Sequence, residues 1–213
     1  AQQSIRSWRS NMAWLVIGKP EDARAHLLAV AMERGGDTGF HLHDYYSVLS
    51  GAQIDLYVGD GDGALNRVER AWRSIEQTML LRVQSVRIEL HFLLGRAALA
   101  SSRADRLAVA KRAVVALGKE KIAWAEGLCA LLRAGLTAAS GDRDRAVIEL
   151  VAAEDKLRTA EMPLHVQIAR HSRGTLLAAD AGAVLREDAE DWLRSQDVAA
   201  PKTFVRMMLP IAT

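Results

Sequence analysis

The chain has 213 residues, half of them hydrophobic and a quarter charged, a composition that is typical of a globular protein with a sizeable core and excludes a disordered one. The net charge is only +2 and no run of five like charges occurs, so the clustered basic face of a nucleic-acid-binding protein is not expected. The single cysteine, Cys129, excludes an internal disulfide, and no apolar stretch is long enough for a membrane span.

Apolar side chains recur at spacings of three and four residues along most of the chain, and this period predicts α-helices. The four prolines fall where predicted helices begin or end, and alternating β-type runs are absent, so we expect an all-α fold. In chain order, we predict helices over residues 4–17, 22–34, 40–58 and 64–77, two more within residues 80–117 on either side of a turn at 101–105, and then helices over 122–139, 145–160, 164–179, 183–196 and 201–209.

Turn residues return at a nearly constant interval along the chain. Gly18, Gly59, Ser101, Gly141 and Gly182 are separated by 41, 42, 40 and 41 residues. One helical hairpin cannot bury both of its apolar faces alone, so a regular series of hairpins predicts that each one covers the next. We therefore predict a single domain, an α-solenoid of about five antiparallel helical hairpins. They span approximately residues 4–35, 40–77, 79–118, 121–160 and 163–197 of the domain 1–213, and a short capping helix follows at 200–210.

Small residues also recur at matching places in the predicted hairpins. Gly95, Gly135 and Gly174 lie near the ends of first helices and are 40 and 39 residues apart. Because glycine inside a helix costs about 1 kcal/mol relative to alanine, its return predicts close packing against the partner helix. The second helices carry alanines seven residues apart, namely Ala64 with Ala71 and Ala146 with Ala153.

The pair Leu94-Gly95 and these spaced alanines resemble the tetratricopeptide repeat superfamily, which has a Leu-Gly pair and two small positions on the second helix of each repeat. The period here is about 41 residues rather than the usual ~34, most of the aromatic positions are absent, and no proline closes each repeat. The longer hairpins look like those of bacterial signalling ATPases with a maltose-regulator-type repeat region. The resemblance implies a curved array that binds a partner along its concave face.

The C-terminal segment carries a second resemblance. Residues 191–196 (DWLRSQ), followed by Pro201, Phe204 and the run MMLP at 207–210, look like the C-terminal ends of large bacterial proteins. Those proteins combine an N-terminal serine/threonine kinase, a central ATPase module and a helical repeat tail. The resemblance implies a cytoplasmic signalling protein, and we expect its other domains to lie upstream of Ala1 in the same polypeptide.

Charged residues that share a helix face are the first candidates for partner binding. Arg82, Glu89 and Arg96 are seven residues apart, so we expect them on one face of the first helix of the central hairpin. First helices line the concave side of such arrays, and this face would receive an acidic peptide or the carboxylates of a protein partner. The alternative is that the charges only solvate an exposed face. The full predicted set consists of Arg82, Glu89, Arg96, Arg133, Arg170 and Arg173.

A cluster of histidine and tyrosine near residue 43 offers a different site. His43, Tyr46 and Arg82 could line a pocket between helices, which would make the chain a small-molecule sensor or an enzyme. A metal site is not expected there, because His41 and His43 are two positions apart and diverge by about 200° on a helix. The Asp-rich segment at 60–63 lacks ligands at the later positions of a calcium loop, so we expect a turn with helix N-caps, and no metal or cofactor.

The first predicted helix suggests a contact between copies of the chain. Trp8, Trp14 and Leu15 belong to a helix whose upstream neighbour in an array would be missing. We therefore expect self-association, as a homodimer, through residues 5–17.

The last predicted helix differs, because we expect it to turn Phe204, Met207 and Met208 inward and Arg206 outward. Taken together, the patterns predict a non-catalytic protein–protein interaction or sensor module with no membrane span, and the two resemblances imply that it belongs to a larger bacterial signalling protein. The competing hypothesis is the small-molecule sensor or enzyme with a pocket between helices.

Overall fold

The computed structural model describes residues 9–32, 39–177 and 179–211. Within these ranges the chain forms eleven α-helices and one short 3-10 helix and contains no β-strand, so the predicted all-α fold is confirmed. None of the helices in this part is long and apolar enough to cross a lipid bilayer. The helices are α1 (Arg9–Val16), α2 (Pro20–Met32), α3 (Leu42–Val58), α4 (Gly61–Glu76), the 3-10 helix (Leu80–Arg82), α5 (Gln84–Ala100), α6 (Arg106–Leu117), α7 (Ala123–Ala139), α8 (Arg143–Thr159), α9 (Pro163–Leu176), α10 (Ala179–Ser195) and α11 (Pro201–Met208).

A glycine followed by an aspartate makes two of the predicted turns. Gly59 and Gly141 lie just past α3 and α7 with left-handed φ angles of 88° and 93°, a conformation that glycine adopts without strain. The next residue caps the following helix: an Oδ1 atom accepts from the backbone amide three residues later, at 2.7 Å for Asp60 and 3.2 Å for Asp142. The Asp-rich segment is thus the helix N-cap that the sequence predicted.

The turn predicted at Gly182 is wrong, because this glycine lies inside α10 and the chain turns earlier, after α9 ends at Leu176. A Cβ at Gly182 would stand 2.4 Å from the carbonyl oxygen of Gly174, and one at Gly174 would stand 2.6 Å from that of Gly182. Two glycines that face each other therefore let the backbones of α9 and α10 approach closely. This is the close packing that was expected of Gly174.

Helices that follow one another pack side by side, and α1 also packs on α3, α3 on α5, and α5 on α7. We call these four helices the odd-helix layer. Gly95 lies within it, and a Cβ there would be 2.3 Å from Leu132 Cδ2, so this glycine lets α5 approach α7. The predicted close packing is confirmed at Gly95, but its partner is α7 and not α6, the other helix of its hairpin.

The C-terminal helix α11 does more than cap the last hairpin. It packs on α9 and α10 but also on α3, and just before it the amide of Ala199 donates to the carbonyl oxygen of Val16 at 2.8 Å. The segment therefore crosses the odd-helix layer and returns to the N-terminal end of the chain. Its buried and exposed sides are those predicted, with Phe204, Met207 and Met208 inside and Arg206 outside.

The N-terminal edge differs from its prediction. Leu15 is fully buried, with 0% of its surface exposed, because α1 packs on both α2 and α3. Trp14 is half-buried, and its ring stacks on that of His26 with the centroids 5.0 Å apart. Trp8 lies outside the described residues. Leu15 is therefore a core residue and not part of an open edge.

Candidate functional site

The structure separates the charged stripe that was predicted on the central hairpin. Arg82 is exposed in the 3-10 helix and is not part of α5, which begins at Gln84. Glu89, on α5, accepts a hydrogen bond from Tyr45 Oη at 3.1 Å. Arg96 is buried, with 3% of its surface exposed. The three charges therefore lie in three different environments, and sequence reasoning did not select Tyr45, the residue that contacts Glu89.

Two of the later arginines pair with acids of neighbouring helices. Arg173 Nε on α9 donates to Glu154 Oε1 on α8 at 2.8 Å, and Arg170 Nη2 lies 3.7 Å from Asp188 Oδ2 on α10. Burial raises the pKa of Glu154, and the Arg173 guanidinium opposes that rise. Arg133 is exposed on α7. Two of the three arginines are thus used in contacts between helices and do not form a free stripe.

His43 and Tyr46 lie near the start of α3, and both are partly buried. The His43 ring stacks on that of His41 with the centroids 5.6 Å apart, and the Tyr46 ring tilts against that of Tyr45 at 5.5 Å. His43 Nε2 also lies 3.6 Å from Asp44 Oδ2. These contacts join close neighbours in sequence at the start of α3, and Tyr46 also packs against the hydrophobic core.

Arg96 is the most unusual of the predicted site residues. Its guanidinium carbon lies 4.9 Å from the centroid of the Phe92 ring, and Nη1 donates to Met207 O at 3.3 Å and lies 3.2 Å from Met208 Sδ. Its Nε has no hydrogen-bond partner, and no carboxylate in the described part of the chain forms an ion pair with it. Buried charges are normally paired, because desolvating an unpaired ion costs several kcal/mol. Arg96 is therefore a buried cation that contacts a backbone carbonyl and a thioether but has no carboxylate partner among the described residues.

The charge states around Arg96 follow from burial. Desolvation lowers the pKa of Arg96 to about 10, which leaves it a cation at neutral pH. His165 lies near the same cluster, with its ring 6.2 Å from that of Phe92. Burial and the nearby Arg96 charge lower the pKa of His165 to about 4, so this histidine is neutral. The surroundings of Arg96 thus combine an aromatic ring, a neutral imidazole and one cation.

The C-terminal end of α11 lies against α5 and α7 of the odd-helix layer. Leu209, the residue after α11, has its Cδ1 2.8 Å from the position that a Cβ on Gly135 would take, and Leu99 Cδ1 lies 2.9 Å from the same position. We call Arg96, which contacts Met207 and Met208, together with Leu99 and Gly135 the α11 seat. In the sequence, the recurrence of Gly95, Gly135 and Gly174 predicted close packing at Gly135. It did not show that the neighbour would be Leu209.

Comparison with models of protein families, with curated proteins and with solved structures finds no match for this chain. The α11 seat is an apolar surface that holds the end of a helix, and it contains one buried cation, Arg96.

Proposed function

We propose that the chain is a protein-interaction module whose odd-helix layer binds an amphipathic helical segment of a partner protein. One observation carries this proposal: the chain's own α11 already lies on that layer as a short amphipathic helix. Recognition of a helix in a groove uses apolar anchors at spacings of three and four, and α11 buries Phe204, Met207 and Met208 in that pattern.

We propose an α-solenoid of five hairpins as the architecture of this module, and the packing of α1 on α3, α3 on α5 and α5 on α7 supports it for the first four hairpins. First helices form the inner, concave layer of such arrays, which is the layer that α11 contacts. The resemblance of the hairpins to tetratricopeptide repeats, and of residues 191–210 to the ends of large bacterial kinase–ATPase proteins, leads us to propose a non-catalytic, cytoplasmic module of a larger signalling protein.

A partner segment would use the same surface as α11 and must displace it. The helix has eight residues, and it is held by apolar side chains and by the hydrogen bond from Arg96. A helix of this length is marginal by itself, so its folded form depends on the seat. A longer partner helix would bury more apolar surface on the odd-helix layer and would replace α11.

The charge of the partner follows from Arg96. Met208 Sδ is a weak acceptor at 3.2 Å from Arg96 Nη1, whereas a carboxylate at the same place would form a charge-assisted hydrogen bond with a guanidinium that is already desolvated. We therefore propose that the partner segment is acidic and carries Glu or Asp at the position that Met208 occupies in α11.

The proposal can be tested with labelled peptides and with a variant of the 213-residue chain in which α11 no longer occupies its seat. Phe204→Asp combined with Met207→Asp removes two anchors of α11 and is expected to release it. A fluorescein-labelled peptide with the sequence of residues 198–211 should bind this variant with a saturable rise in anisotropy. Its Met208→Glu form should bind about tenfold more tightly, because a charge-assisted hydrogen bond contributes about 1.5–3 kcal/mol before its desolvation cost.

Three controls make this result specific. The unaltered chain should bind the peptide far more weakly, because its own α11 competes at an effective concentration in roughly the millimolar range. A peptide with both aspartate substitutions should not bind, and Arg96→Met should remove the advantage of the Met208→Glu peptide. The proposal is wrong if the variant is folded by circular dichroism and binds neither peptide.

A further inference from the structure

A cleft lies between α9, α10 and α11, beside the helix that fills the seat. Its volume is about 440 Å³, within the roughly 300–1,000 Å³ of small-molecule sites. One wall is apolar and is formed by Val205, Leu209 and Ile211. Among the described residues that line this cleft none is acidic, and the cations and hydroxyls are those of Ser172, Thr175, Arg186, Lys202, Thr203 and Arg206.

The cations of the cleft are not neutralised within the described part of the chain. Lys202 and Arg206 are exposed on α11, and the ion pairs of that part include neither of them. Arg186 Nη1 donates to the carbonyl oxygen of Gly174 at 2.5 Å, which fixes the guanidinium beside the cleft without neutralising its charge. Three positive charges from two helices therefore converge on one cleft.

Two buried polar atoms in the wall, one from Ser172 and one from His171, also have no hydrogen-bond partner. Ser172 is 2% exposed and its Oγ has no hydrogen-bond partner. His171 is buried as well, and its Nδ1 has no partner, while Nε2 lies 3.1 Å from Glu190 Oε1. Nearly all buried polar atoms in native proteins are hydrogen-bonded, so the Ser172 hydroxyl in the wall of this cationic cleft is a hydrogen-bonding group still available to a ligand or a water molecule.

We propose that this cleft binds a small organic phosphate. The oxyanion would be held by the side chains of Arg186, Lys202 and Arg206 and by the hydroxyl of Ser172, and an apolar body would lie against the wall that Ile211 completes. A phosphate monoester fits better than a carboxylate, because three cations without an acid in the lining balance a dianion more fully than a single charge. The ligand would touch α9, α10 and α11 at once, so the free chain could bind it without a partner, whereas a partner that displaces α11 would also remove the cleft.

Thermal melting of the 213-residue chain with four probes tests the proposal. Phenyl phosphate should raise the melting temperature with increasing concentration, because a ligand that binds only the folded state stabilises it. Inorganic phosphate, which lacks the apolar body, and benzoate, which has a single charge, should give smaller shifts at equal concentration. Phenol should give none. An equal shift with phenol would mean an apolar cavity, and no shift with phenyl phosphate would overturn the proposal.

Variants identify the residues that carry binding. Lys202→Gln with Arg206→Gln should weaken phenyl phosphate binding at least tenfold, as measured by calorimetric titration. Ser172→Ala should weaken it severalfold without lowering the melting temperature of the free chain, because it removes an unpaired hydroxyl. The matched control is Lys111→Gln with Arg112→Gln, which removes two exposed charges on α6 and should leave binding unchanged. An equal loss in the control would mean non-specific attraction and would contradict the proposed site.

Discussion

The buried guanidinium of Arg96 donates a hydrogen bond to the carbonyl oxygen of Met207, a residue 111 positions away in the chain. The bond joins the middle of α5 to the last turn of α11. Carbonyl groups in the last turn of a helix have no partner within the helix and form the negative end of its dipole. The position of α11 thus explains how an arginine without a carboxylate is tolerated inside the protein.

A carboxylate in place of the Met208 sulfur is expected to stabilise the folded chain. Methionine and glutamate have similar lengths, so Met208→Glu would bring an oxygen to Arg96 Nη1, from which Sδ is now 3.2 Å away. We expect the free energy of unfolding to rise by about 1–2 kcal/mol at neutral pH, which should raise the melting temperature by a few degrees in circular dichroism.

Two further variants separate charge from shape in this experiment. Met208→Gln has the same shape without the charge and should not stabilise the chain. Met208→Glu combined with Arg96→Met should be destabilising, because it buries a carboxylate without its cation. If Met208→Glu lowers stability equally with and without Arg96, the guanidinium is not available to an acid.

The positions of helices and turns could be predicted from the sequence because they depend on nearby residues. Gly59 and Gly141 carry the left-handed backbone of a helix end, and the aspartate that follows each of them caps the next helix. The place of α11 could not be predicted in the same way. Its apolar spacing predicted a buried face, but periodicity does not show which distant helices cover that face.

The roles of individual charged residues and glycines could not be predicted from the sequence for a related reason. Arg96 and Arg173 occupy comparable places in first helices, yet one lies under α11 and the other bonds to Glu154. Glycine serves both turns and close helix crossings, so Gly182 matched the turn interval although it packs on Gly174. In each case the tertiary neighbour decides the role, and it lies far away in sequence or on another helix.

Gly182→Ala is expected to destabilise the protein strongly for this reason. The new Cβ would stand 2.4 Å from a backbone oxygen of Gly174, which cannot move as a side chain can. Overpacking of this kind costs about 1–3 kcal/mol, more than the ~1 kcal/mol that alanine gains over glycine in a helix. Urea unfolding should show a clear loss of stability.

The matched control for this prediction is Gly118→Ala. The Cβ at Gly118 would meet its nearest neighbour, the carbonyl oxygen of Val114, at an ordinary 3.4 Å, and the backbone there is right-handed. This variant should be neutral or slightly stabilising. Equal tolerance of both alanines would show that α9 and α10 are not held together by their glycines.

Self-association at the N-terminal end is expected through α2 rather than α1. Leu15 is buried, whereas Leu28 and Met32 on α2 are 57% and 84% exposed. We expect the unaltered chain to sediment as a dimer at high concentration and Leu28→Glu with Met32→Glu to remain monomeric there, because exposed apolar area drives association.

A second pair of exposed apolar residues serves as the control for self-association. Ile148→Glu with Val184→Glu changes two side chains of comparable exposure elsewhere and should leave the dimer intact. An unaltered chain that stays monomeric at high concentration contradicts the prediction.

The proposed phosphate cleft should also respond to pH through His171. Burial lowers the pKa of this histidine, its hydrogen bond to Glu190 opposes the change, and the charges of Arg186 and Lys202 lower the pKa further. An anion in the cleft would offset the charges of these two cations. It would also accept a hydrogen bond from the protonated Nδ1 of His171, an atom that has no partner in the free chain. Binding should therefore raise the pKa of His171, and by linkage protonation should strengthen binding.

Benzenesulfonate is a suitable probe of this coupling, because its charge is constant over the relevant range while that of a phosphate ester changes near pH 6. Its affinity for the chain should rise severalfold as the pH falls below about 6.5, the ordinary pKa of histidine, because the pKa of His171 in the free chain lies below that value. Binding has to be measured directly by calorimetry, because a histidine with a lowered folded-state pKa also destabilises the free chain as the pH falls below its unfolded-state pKa. His171→Asn should bind with an affinity that no longer depends on pH. Constant affinity in the unaltered chain across this range would show that His171 is not coupled to the anion.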